Sequence, residues 1–75
     1  MSQLKDLDYE IILAMADNDM NETQVSQKLY MHRNSIVYHC QKIKRITGKD
    51  PTRFYDLHDL VRMVKRRNIR EGKNG

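Results

Sequence analysis

The sequence predicts an all-α domain of four helices, and three observations support this prediction. Apolar residues recur at intervals of three and four positions, which is the spacing of one helix face. No segment alternates polar and apolar residues over enough positions to form a strand. Turn-forming residues divide the chain into helices over about residues 5 to 17, 22 to 29, 32 to 48 and 53 to 66.

The first two predicted helices are separated by a polar turn. The first helix has one apolar face, made by Leu4, Leu7, Ile11, Ala14 and Met15. Asp6 or Asp8 is suited to cap or charge its start. Residues 17 to 20 then favour a turn because their side chains hydrogen-bond to their own backbone. Asn21 is the predicted N-cap of the second helix, since Gln24 follows three residues later as in a capping box.

The third and fourth predicted helices are longer and amphipathic. Gly48 ends the third helix, in which the inward positions are Ile36, Cys40, Ile43 and Thr47. Pro51 then forces a turn. The fourth helix has an apolar side made by Phe54, Leu57, Leu60, Val61 and Val64. This pattern ends at about residue 66, so we expect one domain over residues 1 to 66 and a basic, flexible tail over residues 67 to 75.

The charges are segregated along the chain. Residues 1 to 31 contain two basic and six acidic side chains, whereas residues 32 to 75 contain twelve basic and four acidic ones. A basic half is typical of a protein with one face toward phosphate. The 75 residues suffice for one small core, contain no apolar run long enough to span a membrane, and include a single cysteine. We therefore expect a cytoplasmic domain without enzymatic activity or a cofactor.

The joint between the second and third helices predicts helix-turn-helix geometry. Only residues 30 to 32 connect them, too few for the helices to lie side by side as an antiparallel pair. Ser26 is the small residue that a close crossing requires. The apolar seam of the crossing is made by Val25, Leu29, Met31, Ile36 and Cys40. The same spacing occurs in short helical hairpins that do not bind DNA.

The outward face of the third helix indicates binding of double-stranded DNA. No acidic residue occurs between Glu22 and Asp50, so this helix carries no carboxylate that would repel phosphate. Arg33 and Asn34 lie in its first turn, where they can pair with guanine and adenine edges in the major groove. We expect base contacts from Arg33, Asn34, Val37, Tyr38 and Gln41, and phosphate contacts from Asn21, Thr23, His32, Ser35, Lys42 and Arg45.

A family resemblance adds to this interpretation. The third helix begins with His32-Arg33-Asn34-Ser35, within a run from Leu29 to Ile43. This run resembles the C-terminal helix-turn-helix domain of the PucR and sugar-diacid regulator family. The resemblance covers about residues 9 to 64 and implies DNA binding in bacterial transcription regulation. Such domains usually end a larger regulator with a sensory region, so this chain is either an excised domain or a stand-alone DNA binder.

The resemblance includes some departures. The family pattern has threonine where this chain has Ser35, and arginine and leucine where it has His39 and Cys40, whereas Gly48 matches the end of the family's helix. The third helix is also similar to that of LuxR-type regulators, in which Tyr-His occurs at the positions of Tyr38 and His39. Both resemblances imply the same groove-binding role.

Histidine and cysteine side chains raise the alternative of a metal site or a nucleophile. His32 and His39 are seven residues apart, which separates them by about 10 Å along a helix axis and is too far for one ion. Cys40 continues the apolar stripe of the third helix, so we interpret it as a buried core thiol and not as a nucleophile. We therefore expect no metal and no catalysis, and we expect His39 at the crossing of the second and third helices.

The fourth helix supports a second hypothesis. Its apolar surface is broader than a small core requires, so a homodimer through helix 4 is expected, in line with helix-turn-helix proteins that read two half-sites. The alternative is that this helix simply closes the core. A different function also stays open, namely a protein-protein interaction module of a regulator that uses the same fold without reading DNA directly.

Overall fold

The computed structural model describes residues 4 to 70, which form four helices and no strand. The helices are α1 (Asp6–Asp17), α2 (Glu22–Lys28), α3 (Arg33–Thr47) and α4 (Phe54–Arg70). The predicted all-α fold is confirmed. Within this part of the chain, α1 is central: it contacts each of the other helices, while α2 and α3 pack against each other and α4 packs against α1. None of the described helices combines the length and apolarity of a membrane span.

The core lies where all four helices meet. Its buried apolar side chains are Ile11, Ile12, Met15, Val25, Ile36, Cys40, Ile43, Leu57, Leu60 and Val64. Burying each large aliphatic side chain contributes about 1.5 to 3 kcal/mol to folding. The inward positions predicted for α3, Ile36, Cys40 and Ile43, are confirmed as core residues. Two buried positions of α1, Ile12 and Asp8, were not among the predicted inward residues.

Two turns require backbone conformations that side chains seldom adopt. Asp19 and Met20 have φ values of 55° and 62° between α1 and α2, and Met20 donates its amide to the Met15 carbonyl at 2.7 Å. Between α2 and α3, Tyr30 has a φ of 55° and a side chain that is 96% exposed. The second helix was predicted to end at residue 29, but α2 ends at Lys28 and Leu29 is its C-cap. The left-handed residue at position 30 redirects the chain so that α3 can cross α2.

The fourth helix is longer than predicted. The expected end at residue 66 is wrong, since α4 continues to Arg70. Arg67 supplies a tertiary reason: its guanidinium lies 4.0 Å from the centre of the Tyr9 ring and 3.4 Å from the Asp6 carboxylate. These contacts attach the last turns of α4 to α1 after the apolar repeat has ended. Residues 67 to 70 thus belong to the helix, and residues 71 to 75 of the predicted tail lie outside the described residues.

A structured turn joins α3 to α4. Gly48 caps α3 with a φ of 77° and donates its amide to the Lys44 carbonyl at 2.8 Å. The Asp50 carboxylate accepts hydrogen bonds from the amide and the hydroxyl of Thr52, and the Asp50 amide donates to Asp56 at 3.1 Å. Pro51 between them is buried. This turn fixes the point at which α4 begins.

Replacement of Gly48 tests the C-cap. Gly48→Ala should lower the free energy of unfolding by about 1 kcal/mol, because alanine is strained at positive φ. A Cβ built at this position meets no atom within 4 Å, so steric clash adds nothing to that cost. Gly48→Asn is the matched control and should lose less, because asparagine tolerates the left-handed region. Urea denaturation measures both, and equal stability of the alanine variant and the original chain would contradict the assignment.

Candidate nucleic-acid interface

The starts of α2 and α3 are fixed by side-chain caps. Asn21 accepts a hydrogen bond from the Gln24 amide at 3.1 Å, as predicted for the N-cap of α2. His32 caps α3, with its Nδ1 atom accepting from the Asn34 amide at 3.2 Å. Ser26 is buried at the crossing of the two helices and donates to the Thr23 carbonyl at 2.6 Å. The starts of both helices are therefore fixed by local hydrogen bonds, and the two helices pack against each other.

One face of α3 is exposed along its whole length. With 3.6 residues per turn, positions 34, 38, 41 and 45 lie opposite the buried positions 36, 40 and 43. The side chains on this exposed face are Asn34, Tyr38, Gln41 and Arg45, and all four are exposed. We call this set the outer stripe of α3. No acidic residue occurs anywhere in α3, so the outer stripe combines amide, phenol and guanidinium groups without a carboxylate among them.

The flank of α3 that faces α2 is less exclusively basic than expected. Glu22 in the first turn of α2 accepts a hydrogen bond from Arg33 at 3.5 Å. Lys44 lies 3.9 Å from the Asp50 carboxylate, and Val37 on the same flank is half-buried. No acidic residue lies between Glu22 and Asp50 in the sequence, but the fold places the carboxylates of these two residues next to α3. Arg33 is thus held over the start of α2 while its side chain stays largely exposed.

The flank that faces α1 contains a buried ion-pair cluster. Asp8 has no exposed surface, and its carboxylate lies 2.8 Å from His39 Nδ1 and 2.8 Å from Lys42 Nζ. The Lys5 amide donates to the same carboxylate at 2.8 Å, which completes the start of α1. The expectation that His39 lies at the crossing of α2 and α3 is wrong, because Asp8 draws it toward α1. Lys42, expected at a phosphate, is engaged by the same carboxylate.

Electrostatics favours the ionised form of Asp8. Burial alone would raise the pKa of this carboxyl group, but the hydrogen bonds from Lys42, the Lys5 amide and His39 outweigh it, so the pKa lies below the ordinary value of 3.8. Cys40 shows the opposite effect. Its burial, with smaller contributions from the carboxylates of Glu22 and Asp50, raises the pKa of the thiol to about 12. Cys40 is therefore a protonated core residue at neutral pH.

The predicted site residues divide into two groups by exposure. Eight are exposed on the two helix starts and the outer stripe, namely Asn21, Thr23, His32, Arg33, Asn34, Tyr38, Gln41 and Arg45. Ser35, Val37 and Lys42 lie on the two flanks of α3 and are half-buried. The hydrogen bond between Arg33 and Glu22 brings the starts of α2 and α3 next to each other. Their contacts with DNA stay predictions.

The α4 surface predicted for dimerisation is partly in solvent. Phe54 and Tyr55 are 64% and 81% exposed, and their rings pack edge to face with centroids 5.3 Å apart. A shallow, largely apolar groove of about 210 Å³ runs from Phe54 past Val61 to Met20. Leu57 lies at the base of this groove and, with Leu60 and Val64, closes the core. The second copy stays a prediction. Among the described residues, no group of three or more histidine, cysteine or acidic side chains is arranged around a metal position.

The packing of α2 against α3 across a short turn, on a core to which all four helices contribute, defines the class of this protein as a helix-turn-helix domain. Comparison with family models identifies the family. Residues 9 to 64 match the PucR C-terminal helix-turn-helix domain, and the chain belongs to this family. The resemblance read from the sequence is thereby confirmed over the same residues. Comparisons with curated proteins and with solved structures gave no match.

Acid sensitivity tests the buried cluster. Because the pKa of Asp8 is lower in the folded state than in the unfolded chain, Asp8 stabilises the domain above about pH 4 and loses this effect as the pH falls further. Asp8→Asn should lower the free energy of unfolding at pH 7 by about 1.5 to 3 kcal/mol, the range for hydrogen bonds to charged groups. The difference between the two proteins should shrink at about pH 2.5, as measured by urea denaturation at both pH values.

Asp17→Asn is the control for this comparison. Asp17 is exposed on the same helix, so its replacement makes the same change in net charge without opening the buried cluster. Asp50 keeps its own acid sensitivity in every variant, since two hydrogen bonds from Thr52 outweigh its partial burial and lower its pKa. A stability difference for Asp8→Asn that stays constant from neutral to acid pH would refute the ionised cluster.

Proposed function

We propose that this domain binds double-stranded DNA in a sequence-specific manner, with α3 in the major groove, and acts in bacterial transcription regulation. The observation that carries the proposal is the outer stripe of α3. An α-helix fits the major groove when one face is free of the protein core and carries hydrogen-bonding groups. The outer stripe meets both conditions, and membership of a helix-turn-helix family supports the same interpretation.

The first three turns of α3 carry the proposed base contacts. Arg33 can donate two hydrogen bonds to guanine, and Asn34 and Gln41 can each donate to and accept from adenine. Val37 and the ring of Tyr38 offer apolar surface for a thymine methyl group. Each good bidentate contact contributes about 1 to 3 kcal/mol of discrimination between bases. The pairing of Arg33 with Glu22 holds its guanidinium close to the start of α2, where the groove would be entered.

Side chains around these positions supply the proposed phosphate contacts. Asn21 and Thr23 at the start of α2 offer an amide and a hydroxyl group, and Ser35 offers a hydroxyl group in the first turn of α3. His32 accepts with Nδ1, so its neutral ring carries the proton on Nε2, which is then available to a phosphate oxygen. Arg45 extends the contact to the far end of the outer stripe. Lys42 is omitted from this set because Asp8 already engages its ammonium group.

One observation favours a second candidate function. The exposed rings of Phe54 and Tyr55 on α4 offer an apolar contact for another protein, and α4 packs against α1 without close backbone contact to α3 among the described residues. A protein-interaction module would use this surface and leave the outer stripe in solvent. The two functions differ in salt dependence, because a DNA complex releases counterions and an apolar protein contact does not.

Selection of bound duplexes from a random pool tests the proposed function. The domain should enrich a consensus sequence, and its affinity should fall steeply between about 50 and 200 mM salt. Arg33→Ala should relax the preference at one base pair, because that variant loses a contact to a base edge. Arg45→Ala should instead weaken all sequences alike and reduce the salt slope by about one.

Arg62→Ala is the matched control for Arg45→Ala. Arg62 is exposed on α4, so its loss makes the same change in net charge away from the outer stripe. This variant should keep the consensus and leave the salt slope close to that of the original chain. If the domain binds no duplex and instead binds a protein partner independently of salt, DNA binding is rejected in favour of the protein-interaction module.

A further inference from the structure

The buried cluster around Asp8 connects α1 to α3 through charges. His39 and Lys42 lie about one turn apart on the same flank of α3. The His39 ring contacts one oxygen of the Asp8 carboxylate, and the Lys42 ammonium group contacts the other. Asp8 occupies an inward position of α1, in line with Ile11, Ile12 and Met15. A carboxylate therefore stands where the amphipathic pattern of α1 would accept an aliphatic side chain.

Stability alone gives a poor account of a charge at this position. Removing a carboxylate and an ammonium group from water costs much of what their attraction returns, and apolar replacements of such pairs are often neutral or stabilising. The hydrophobic effect has no preferred direction, whereas a hydrogen bond has a preferred length and angle. The burial of Ile36, Cys40 and Ile43 holds α3 against the core, and the two hydrogen bonds to Asp8 add a directional constraint on its rotation about its own axis.

Rotation of α3 matters for reading bases. Side-chain tips lie about 5 to 6 Å from the axis of a helix, so a 20° rotation displaces them by roughly 2 Å. Hydrogen bonds to base edges tolerate only a few tenths of an ångström around about 2.9 Å. Two short hydrogen bonds from one flank of α3 to a single buried point are the kind of constraint that prevents such a rotation. Both atoms lie at 2.8 Å from Asp8.

The cluster also changes the charge that α3 presents. Lys42 is part of the basic sequence of α3, but its ammonium group is bound to Asp8 and its side chain is only 18% exposed. The position of Lys42 on the flank next to the outer stripe means that a released ammonium group would reach the solvent on the side of the proposed interface. Asp8 thus removes a cation that would favour every DNA sequence equally.

From these observations we infer that Asp8 is a positioning residue for DNA recognition. It fixes the rotation of α3 through His39 and Lys42 and suppresses sequence-independent binding by engaging Lys42. The inference rests on the proposed function, which it deepens by assigning part of the sequence specificity to a residue that contacts no DNA. It predicts that loss of the carboxylate makes the domain less selective without making it a weaker general DNA binder.

The test compares Asp8→Asn with Glu10→Gln. Both variants change the net charge by one on α1, but Glu10 is exposed and outside the cluster. Affinities are measured at two salt concentrations for the selected consensus duplex and for a duplex of scrambled sequence. In Asp8→Asn the ratio of the two affinities should fall by about tenfold, comparable to the loss of one base-pair contact. Affinity for the scrambled duplex should stay level or rise, with a salt slope larger by about one.

A second variant separates positioning from stability. Asp8→Leu combined with Lys42→Met replaces the ion pair by apolar side chains of similar size, so the domain should retain or exceed the melting temperature of Asp8→Asn. Its selectivity should nevertheless stay low, because neither apolar side chain fixes the rotation of α3. Full selectivity in this double variant, or an equal loss of affinity for both duplexes in Asp8→Asn, would overturn the inference.

A measurement without DNA keeps the two proposals distinguishable. Residual dipolar couplings of backbone amides report the orientation of α3 relative to α1 in the original chain and in Asp8→Asn. A changed or broadened orientation supports the positioning role, and an unchanged one refutes it. If the original chain binds no duplex at all, the proposed function fails, while these couplings still decide whether Asp8 orients α3.

Discussion

The burial of Ile36, Cys40 and Ile43 against the rest of the core determines which side chains of α3 remain in solvent. Because a helix turns once every 3.6 residues, placing these three inward leaves Asn34, Tyr38, Gln41 and Arg45 on the opposite side. The position of α3 depends on α1, because α1 contacts every other helix. The exposed chemistry of the outer stripe is thus a consequence of core packing.

Asp8 adds direction to that packing. Apolar burial supplies most of the free energy that holds α3 in place, and the hydrogen bonds to the buried carboxylate add a directional constraint on its rotation. The arrangement also distinguishes cations that are free to meet phosphate from those already paired. Lys42 and Lys44 lie within reach of Asp8 and Asp50, while Arg45 remains on the outer stripe. A count of basic residues along α3 therefore overstates the charge available to a ligand.

Sequence reasoning succeeded where the signal was periodic and local. The four helices, the cap at Asn21 and the inward positions of α3 follow from apolar spacing and from residues that bond to neighbouring amides. The predicted role of Asp8 at the start of α1 is confirmed, since its carboxylate accepts from the Lys5 amide, but its burial was not predicted because a carboxylate near a helix start is ordinarily in solvent. Its spacing of three, four and seven from Ile11, Ile12 and Met15 nevertheless places it on the apolar face. The end of α4 was set too early because the contacts of Arg67 with Tyr9 and Asp6 are tertiary and leave no local pattern.

The proposed function requires that the outer stripe of α3 is the surface that contacts DNA. Chemical-shift mapping tests it most directly: the ¹⁵N-labelled domain is titrated with its selected duplex, and amide shifts are followed for every helix. We expect the largest changes along Asn34, Tyr38, Gln41 and Arg45 and at the start of α2, with small changes on α4. Changes centred on Phe54 and Tyr55, with the outer stripe unaffected, would contradict it.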